Sequence, residues 1–216
     1  MIPKKCTMLD ISQLKYPLKG SLILYHLICS DEGLSRNASS FIKLYIRLID
    51  KTIYEYNMAR TSTLEEVAQS QLPTDELIKN GQVIYIFSFW DHMENCINTL
   101  NRLFNLFNGL KSEKTIPEIP RFLRKKVESY NISIRDFRHT IEHMEAKIKS
   151  GKFPPGKGIA PTINQTEDSI EISNHRITFI ELFNTIKNMH EIGMILLKYY
   201  EDKINKKTED GRSRFS

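Results

Sequence analysis

From Ala38 onward the chain is governed by helical periodicity and by how little interrupts it. Phe41, Leu44, Tyr45, Leu48, Ile49, Thr52 and Tyr56 recur at three- and four-residue spacing, the stripe of an amphipathic helix. Asn37 is the expected cap before it. Thr63 and Glu66 form a capping box for a short further piece, which Gln71-Leu72-Pro73-Thr74 ends. A second stripe, Ile84, Phe87, Trp90, Ile97, Leu100, Phe104 and Phe107, predicts a long helix from about Gly81 to Leu110. Only 9 Gly and 8 Pro stand among the 216 residues, so few positions can stop such helices.

Ile116-Pro117-Glu118-Ile119-Pro120 reads as a rigid turn, and Gly151 to Gly158, with two Pro and three Gly, as a loop. Ser169 to Ile172 and Arg176 to Phe179 flank Asn174-His175, and this alternation around a turn predicts a small β-hairpin. Thr178 and Glu181 form a capping box that opens the last helix, whose inner side is Phe183, Ile186, Met189, Leu196, Leu197 and Tyr200. The expected fold is mostly α: a helical bundle of five to six helices with a small β-hairpin before the last one. Residues 1–37 are expected as an N-terminal extension in which Leu22 to Cys29 packs as a buried helix. Residues 38–202 form the bundle, and the charged stretch 203–216 a disordered tail.

Charge narrows the partners only slightly. The net charge of +5 permits a polyanion without requiring one. Arg121, Arg124, Lys125 and Lys126 place four positive charges in six residues, with Arg135 further on. They read either as a solvated helix face or as contacts to an RNA backbone. Cys6, Cys29 and Cys96 are odd in number and show no paired spacing, so neither a disulfide framework nor a zinc knuckle is indicated. Cys96 falls in a helical apolar pattern and reads as a small core residue. A reducing cytoplasm is expected. Leu22 to Cys29 is too short to span a bilayer, and it begins too late for a secretory signal and lacks a small-residue cleavage site.

The densest chemistry lies in Ser133 to Gly151, S-I-R-D-F-R-H-T-I-E-H-M-E-A-K-I-K-S-G. It reads as one amphipathic helix, with Ser133 and Asp136 as a weak capping box and Gly151 at its stop. Ile134, Phe137, Ile141, Met144 and Ile148 form the buried stripe. Arg135, Arg138, His139, Glu142, His143 and Glu145 form a polar wedge beside it. Two motifs overlap here. His139, Glu142 and His143 make the zinc-protease pattern H-x-x-E-H, but no third ligand is marked by a surrounding signature. Arg138 and His143 make R-x-x-x-x-H, with His139 directly after the Arg. The plain alternative to both is a solvated face of i,i+3 and i,i+4 pairs.

Arg138-His139-x-x-x-His143 resembles the signature of HEPN domains, helical bundles found in many prokaryotic toxins and defence ribonucleases. The flanking I-R-D-F-R-H-T-I-E-H-M-E-A-K-I-x-x-G, the earlier H-M-E-N-C-I-N-T-L-N-R-L from His92 to Leu103, and the hairpin followed by F-I-E-L are similar to bacterial proteins related to these domains. The likeness covers roughly Ala38 to Tyr200. It implies a metal-independent endoribonuclease in a toxin–antitoxin or phage-defence setting, with RNA as substrate, no cofactor, an antitoxin or other protein as a further partner, and a composite site between two paired domains. Many HEPN proteins are non-catalytic, so a silent module binding RNA, nucleotide or a partner protein stands as the alternative, and a zinc-dependent hydrolase as a second.

In the ribonuclease reading Arg138, His139 and His143 are the catalytic candidates. His143 and its copy in a homodimer act as acid and base, and Arg138 neutralises charge at phosphorus. Glu94, Asn95 and Asn98, from the helix carrying Trp90, and Glu142 are candidate acceptors for the Arg138 guanidinium.

Overall fold

The computed structural model describes residues 5–14, 17–29, 31, 33–80, 85–152, 160–164, 166 and 168–213. The expected helix start at Gly81, Ile84 of its apolar side, Ser30 and Glu32 before the first long helix, and most of the Gly151–Gly158 loop lie outside these residues. The elements run α1 (Leu18–Cys29), α2 (Arg36–Gln69), α3 (Thr74–Asn80), α4 (Tyr85–Ser112), α5 (Arg121–Ser129), α6 (Asn131–Glu142), α7 (Met144–Lys149), β1 (Thr162–Asn164), β2 (Ser169–Ile172), β3 (His175–Thr178) and α8 (Phe179–Ser213). The chain is thus a mostly helical bundle with a small antiparallel sheet before its last helix. The described residues hold eight helical segments rather than five or six, because α3 and α7 are single short pieces.

The long helices follow from their stripes. α2 and α4 run antiparallel, as Phe41 beside Gly109, Glu55 beside His92 and Ser62 beside Ser88 show. Ile42, Tyr45, Ile46, Ile49, Ile53 and Tyr56 of α2 meet Phe89, Met93, Cys96, Ile97, Leu100, Phe104 and Phe107 of α4 in one core. Phe87, expected on the inner side of α4, is instead 53% exposed and stands edge-on to Trp90. Cys96 is fully buried as expected, and burial, with the nearby Glu55 charge adding, pushes its thiol well above the ordinary range.

α2 does not break at Thr63. The Ser62 and Thr63 hydroxyls bond back to the Met58 and Ala59 carbonyls at 3.0 Å, so Thr63 is satisfied inside the helix instead of capping a new one. Its N-cap is Ser35, whose hydroxyl accepts from Ala38 N at 3.0 Å, and Asn37 lies inside the first turn.

The hairpin gains a third strand. β2 pairs with β3 through Ile170 with Ile177 and Ile172 with His175, and β1 adds to its other edge. Ser173 turns the chain at φ 54, and Ile170, Ile172 and Ile177 face the core. The Thr178–Glu181 capping box forms as expected. Thr178 N donates to Glu181 Oε2 at 2.8 Å, and Glu181 N donates to Thr178 Oγ1 at 3.2 Å. α8 then runs to Ser213, continuing as helix into the stretch whose charge predicts a disordered tail.

α1 packs on α2 and α8 through Leu18 and Leu22, but Ile23, Leu24, Leu27 and Ile28 are more than half exposed. The expectation of a buried helix therefore holds for one side only, because a helix at the edge of a bundle has neighbours on one side. Its N-terminus is capped from afar. Asp50, 3% exposed on α2, accepts Leu18 N and Lys19 N through its two oxygens at 2.8 Å each.

Asp31 ties α2 to α8, accepting from Ser39 Oγ and Lys43 Nζ at 2.6 Å and from Tyr200 OH at 3.1 Å. Desolvation by burial acts to raise its carboxyl, but these donors outweigh it and hold the group at about 2. The folded value lies below the unfolded one of about 3.9, so the stability it contributes is full above that value and is lost as pH falls toward 2. Asp31→Asn is expected to lower the melting midpoint at about pH 6, with the gap to wild type closing between roughly pH 4 and pH 2. A gap that stays constant with pH would contradict this account.

Candidate functional site

The polar wedge lies on α6 and at its end. α6 begins at Asn131, not at Ser133, with Tyr130 as an N-cap residue that makes no side-chain bond. Leu123 and Val127 of α5 enter the same core as Ile134 and Phe137, which leaves only Tyr130 between the two helices and overrides the weak Ser133–Asp136 signal. Asp136 accepts instead from Arg135 Nε at 3.2 Å.

The helix expected to continue to Gly151 breaks at His143, whose φ of −103 and ψ of 11 fall in the bridge region. His143 N still donates to His139 O at 3.1 Å, and Lys147 N to His143 O at 3.1 Å, so the break costs little hydrogen bonding. Just before the break, the Thr140 hydroxyl bonds back to Asp136 O at 3.0 Å, a contact that loosens the helical ladder. The stripe therefore ends early: Ile134, Phe137 and Met144 are buried, while Ile148 is half exposed.

Four side chains gather at this break. The His139 and His143 rings lie 4.2 Å apart between centroids and tilted by 59°, both on exposed residues. Arg138 Nη2 donates to Glu142 Oε1 one turn on, and their side chains are 36% and 40% exposed. The site is thus open to a large solute and holds one guanidinium, one carboxylate and two imidazoles.

The other expected acceptors are not used. Among the described residues no hydrogen bond joins Arg138 to Glu94, Asn95 or Asn98. Asn95 is exposed. Burial, with the charge of Asp91 adding, raises the Glu94 carboxyl above its usual range, and Asn98 Oδ1 is buried without a partner. Among the described residues no group of three or more His, Cys, Asp or Glu is placed to hold a metal ion, so His139, Glu142 and His143 have no further ligand beside them.

The basic residues separate. Arg121, Arg124 and Lys125 line one cleft of about 300 Å³ with Lys111 and Glu128. Lys126 stands outside its lining, 5.6 Å above the Phe122 ring, and Arg135 lies on α6.

A carboxylate–imidazole pair that no sequence motif marks lies elsewhere, between α2 and α4. Glu55, 7% exposed on α2, contacts His92 Nδ1 at 2.7 Å, and Tyr54 meets the same ring edge-on at 6.4 Å. This contact fixes the ring orientation and leaves Nε2 as the remaining donor or acceptor. The available signal was a glutamate within the Thr52–Tyr56 stretch of the apolar stripe, where an unpaired carboxylate would be costly.

No family model, curated protein or solved structure matches this chain.

Proposed function

We propose that this protein is a metal-independent endoribonuclease of HEPN type whose site is completed by a second copy of the chain. The reading rests on the exposed gathering of Arg138, His139 and His143 at the α6–α7 break. RNA contains its own nucleophile, the 2′-OH. Its oxygen attacks the adjacent phosphorus, the bond to the 5′-oxygen breaks, and a cyclic phosphate and a 5′-hydroxyl result. One imidazole accepts the 2′-OH proton, another protonates the leaving oxygen, and an arginine holds charge growing on the non-bridging oxygens.

Attack and departure occur on opposite sides of phosphorus. His139 and His143 of one chain lie side by side, 4.2 Å apart, so one chain presents both imidazoles from the same side. A two-fold partner supplies His143 across the groove. The Arg138–Glu142 pair favours a second reading, a silent RNA-binding module, because the guanidinium already has an anion in the free chain.

RNA incubated with the protein in EDTA separates the two. The ribonuclease reading expects cleavage by wild type and cleavage about 10² to 10⁴-fold slower by Arg138→Ala/His143→Ala. Light scattering at micromolar concentration is expected to give twice the chain mass of 25.3 kDa. Equal cleavage by the double variant, or a clean monomer that cleaves, would overturn the composite site.

A further inference from the structure

Three clefts meet around the α4–α5 connection, and none is lined by Arg138, His139 or His143. The first, of about 220 Å³, presents Lys111, Lys114 and Arg124. The second, of about 300 Å³, shares Lys111 and Arg124 with it and adds Arg121 and Lys125. The third, of about 450 Å³, shares Ile116 and Pro117 with the first and is walled by Lys198, Tyr199, Lys203 and Lys206 of α8. Shared lining residues set the three side by side, a grooved strip running from α5 to α8.

Eight cations line it against four carboxylates, Glu113, Glu118, Glu128 and Asp202. Two of the four are already engaged: Glu128 holds Lys111 at 2.6 Å, and Glu113 accepts from Ser35 Oγ at 2.9 Å. Among the described residues Lys114, Arg121, Arg124 and Lys125 have no carboxylate at ion-pair distance. Arg124, at the junction of the first two clefts, has its Nε buried without an acceptor. An orphaned donor costs free energy, and Arg124 lines both clefts, where an anion would make charge-assisted bonds to the guanidinium. The first turn of α5 begins beside it, and its N-cap Pro120 offers no side-chain acceptor. At the other end Lys203 Nζ lies 5.1 Å from the Tyr199 ring centroid, which places a cation beside an aromatic ring. Cations along a groove with an aromatic at one end are what a flexible polyphosphate chain carrying bases requires.

We propose that this groove is the track for single-stranded RNA, with phosphates on Arg121, Arg124 and Lys125 and a base against Tyr199, where Lys203 shifts to the neighbouring phosphate. The proposal rests on the ribonuclease reading for its substrate class, but it concerns binding and not cleavage.

The test is anisotropy of a labelled oligouridylate of roughly 12 nucleotides, in EDTA, on the His143→Ala chain so that the RNA stays whole. Arg121→Ala/Arg124→Ala/Lys125→Ala and Lys198→Ala/Lys203→Ala/Lys206→Ala are each expected to bind about a hundredfold more weakly at roughly 0.1 M salt. Each is also expected to have a salt slope shallower by about two. Lys51→Ala/Lys79→Ala/Lys187→Ala removes equal charge outside the groove and is expected to bind like its parent. Circular dichroism verifies folding, and the α8 set alone decides if the α5 set unfolds. Parent-like binding by the groove sets, no binding by the parent, or equal loss in the control set would overturn the track. Groove-dependent binding by a wild-type chain that cleaves nothing would leave the track standing and remove the ribonuclease reading. Cleavage with groove-independent binding would do the reverse.

Discussion

Arg138→Ala is expected to lower RNA cleavage by about 10² to 10³-fold, the loss found when one hydrogen-bond donor to a developing oxyanion is removed. His143→Ala is expected to lower it by about 10² to 10⁴-fold. The double variant should be no slower than the worse single variant allows, because groups acting on one transition state do not add. Glu142→Gln separates two roles of the carboxylate. If Glu142 only occupies the Arg138 guanidinium in the free chain, its removal leaves or raises the rate. Mixing wild-type chains with a growing share of His143→Ala chains then tests the shared site. A mixed dimer keeps only one of the two His143 imidazoles, so activity per wild-type chain is expected to fall as the variant's share rises. Activity per wild-type chain that stays constant would place the whole site in one chain.

Asp50→Ala is expected to be the most damaging single change to the fold outside the apolar core. Two backbone donors at the start of α1, Leu18 N and Lys19 N, lose their acceptors, and water can replace only the one at exposed Lys19, because Leu18 is fully buried. Pro17 before them has no side-chain acceptor to substitute. Two charge-assisted bonds and a buried orphan donor amount to about 3 kcal/mol, a fall in melting midpoint of roughly 6 to 12 °C for a chain of this size. Asp50→Asn keeps one acceptor oxygen and is expected to lose about half as much. Thermal melts followed by circular dichroism decide it. An unchanged midpoint for Asp50→Ala would mean that α1 is held by Leu18 and Leu22 alone.

What the sequence determined is what depends on neighbours along the chain. The bodies of α2, α4 and α8 were legible because their apolar residues repeat at the helical period, and few Gly or Pro interrupt them. The Thr178–Glu181 box was legible because it closes within three residues, and the hairpin because alternation flanks a turn. The gathering of Arg138, His139, Glu142 and His143 was legible for the same reason, since i,i+4 side chains share a helix face.

Tertiary structure decided everything that depends on which faces meet. Thr63 and Asn37 carry good cap residues that the packed helices leave unused. The helix break at His143 has no Gly or Pro to announce it. Asp50 caps a helix that begins 32 residues earlier, Asp31 binds Tyr200 across 169, and Glu55 meets His92 across 37. The clefts around the α4–α5 connection bring Arg121–Lys125 near Lys198–Lys206, which no local pattern links. Spacing along a chain fixes local hydrogen bonds and the face a residue occupies. Which faces meet is fixed only when burial of apolar surface brings distant helices into contact.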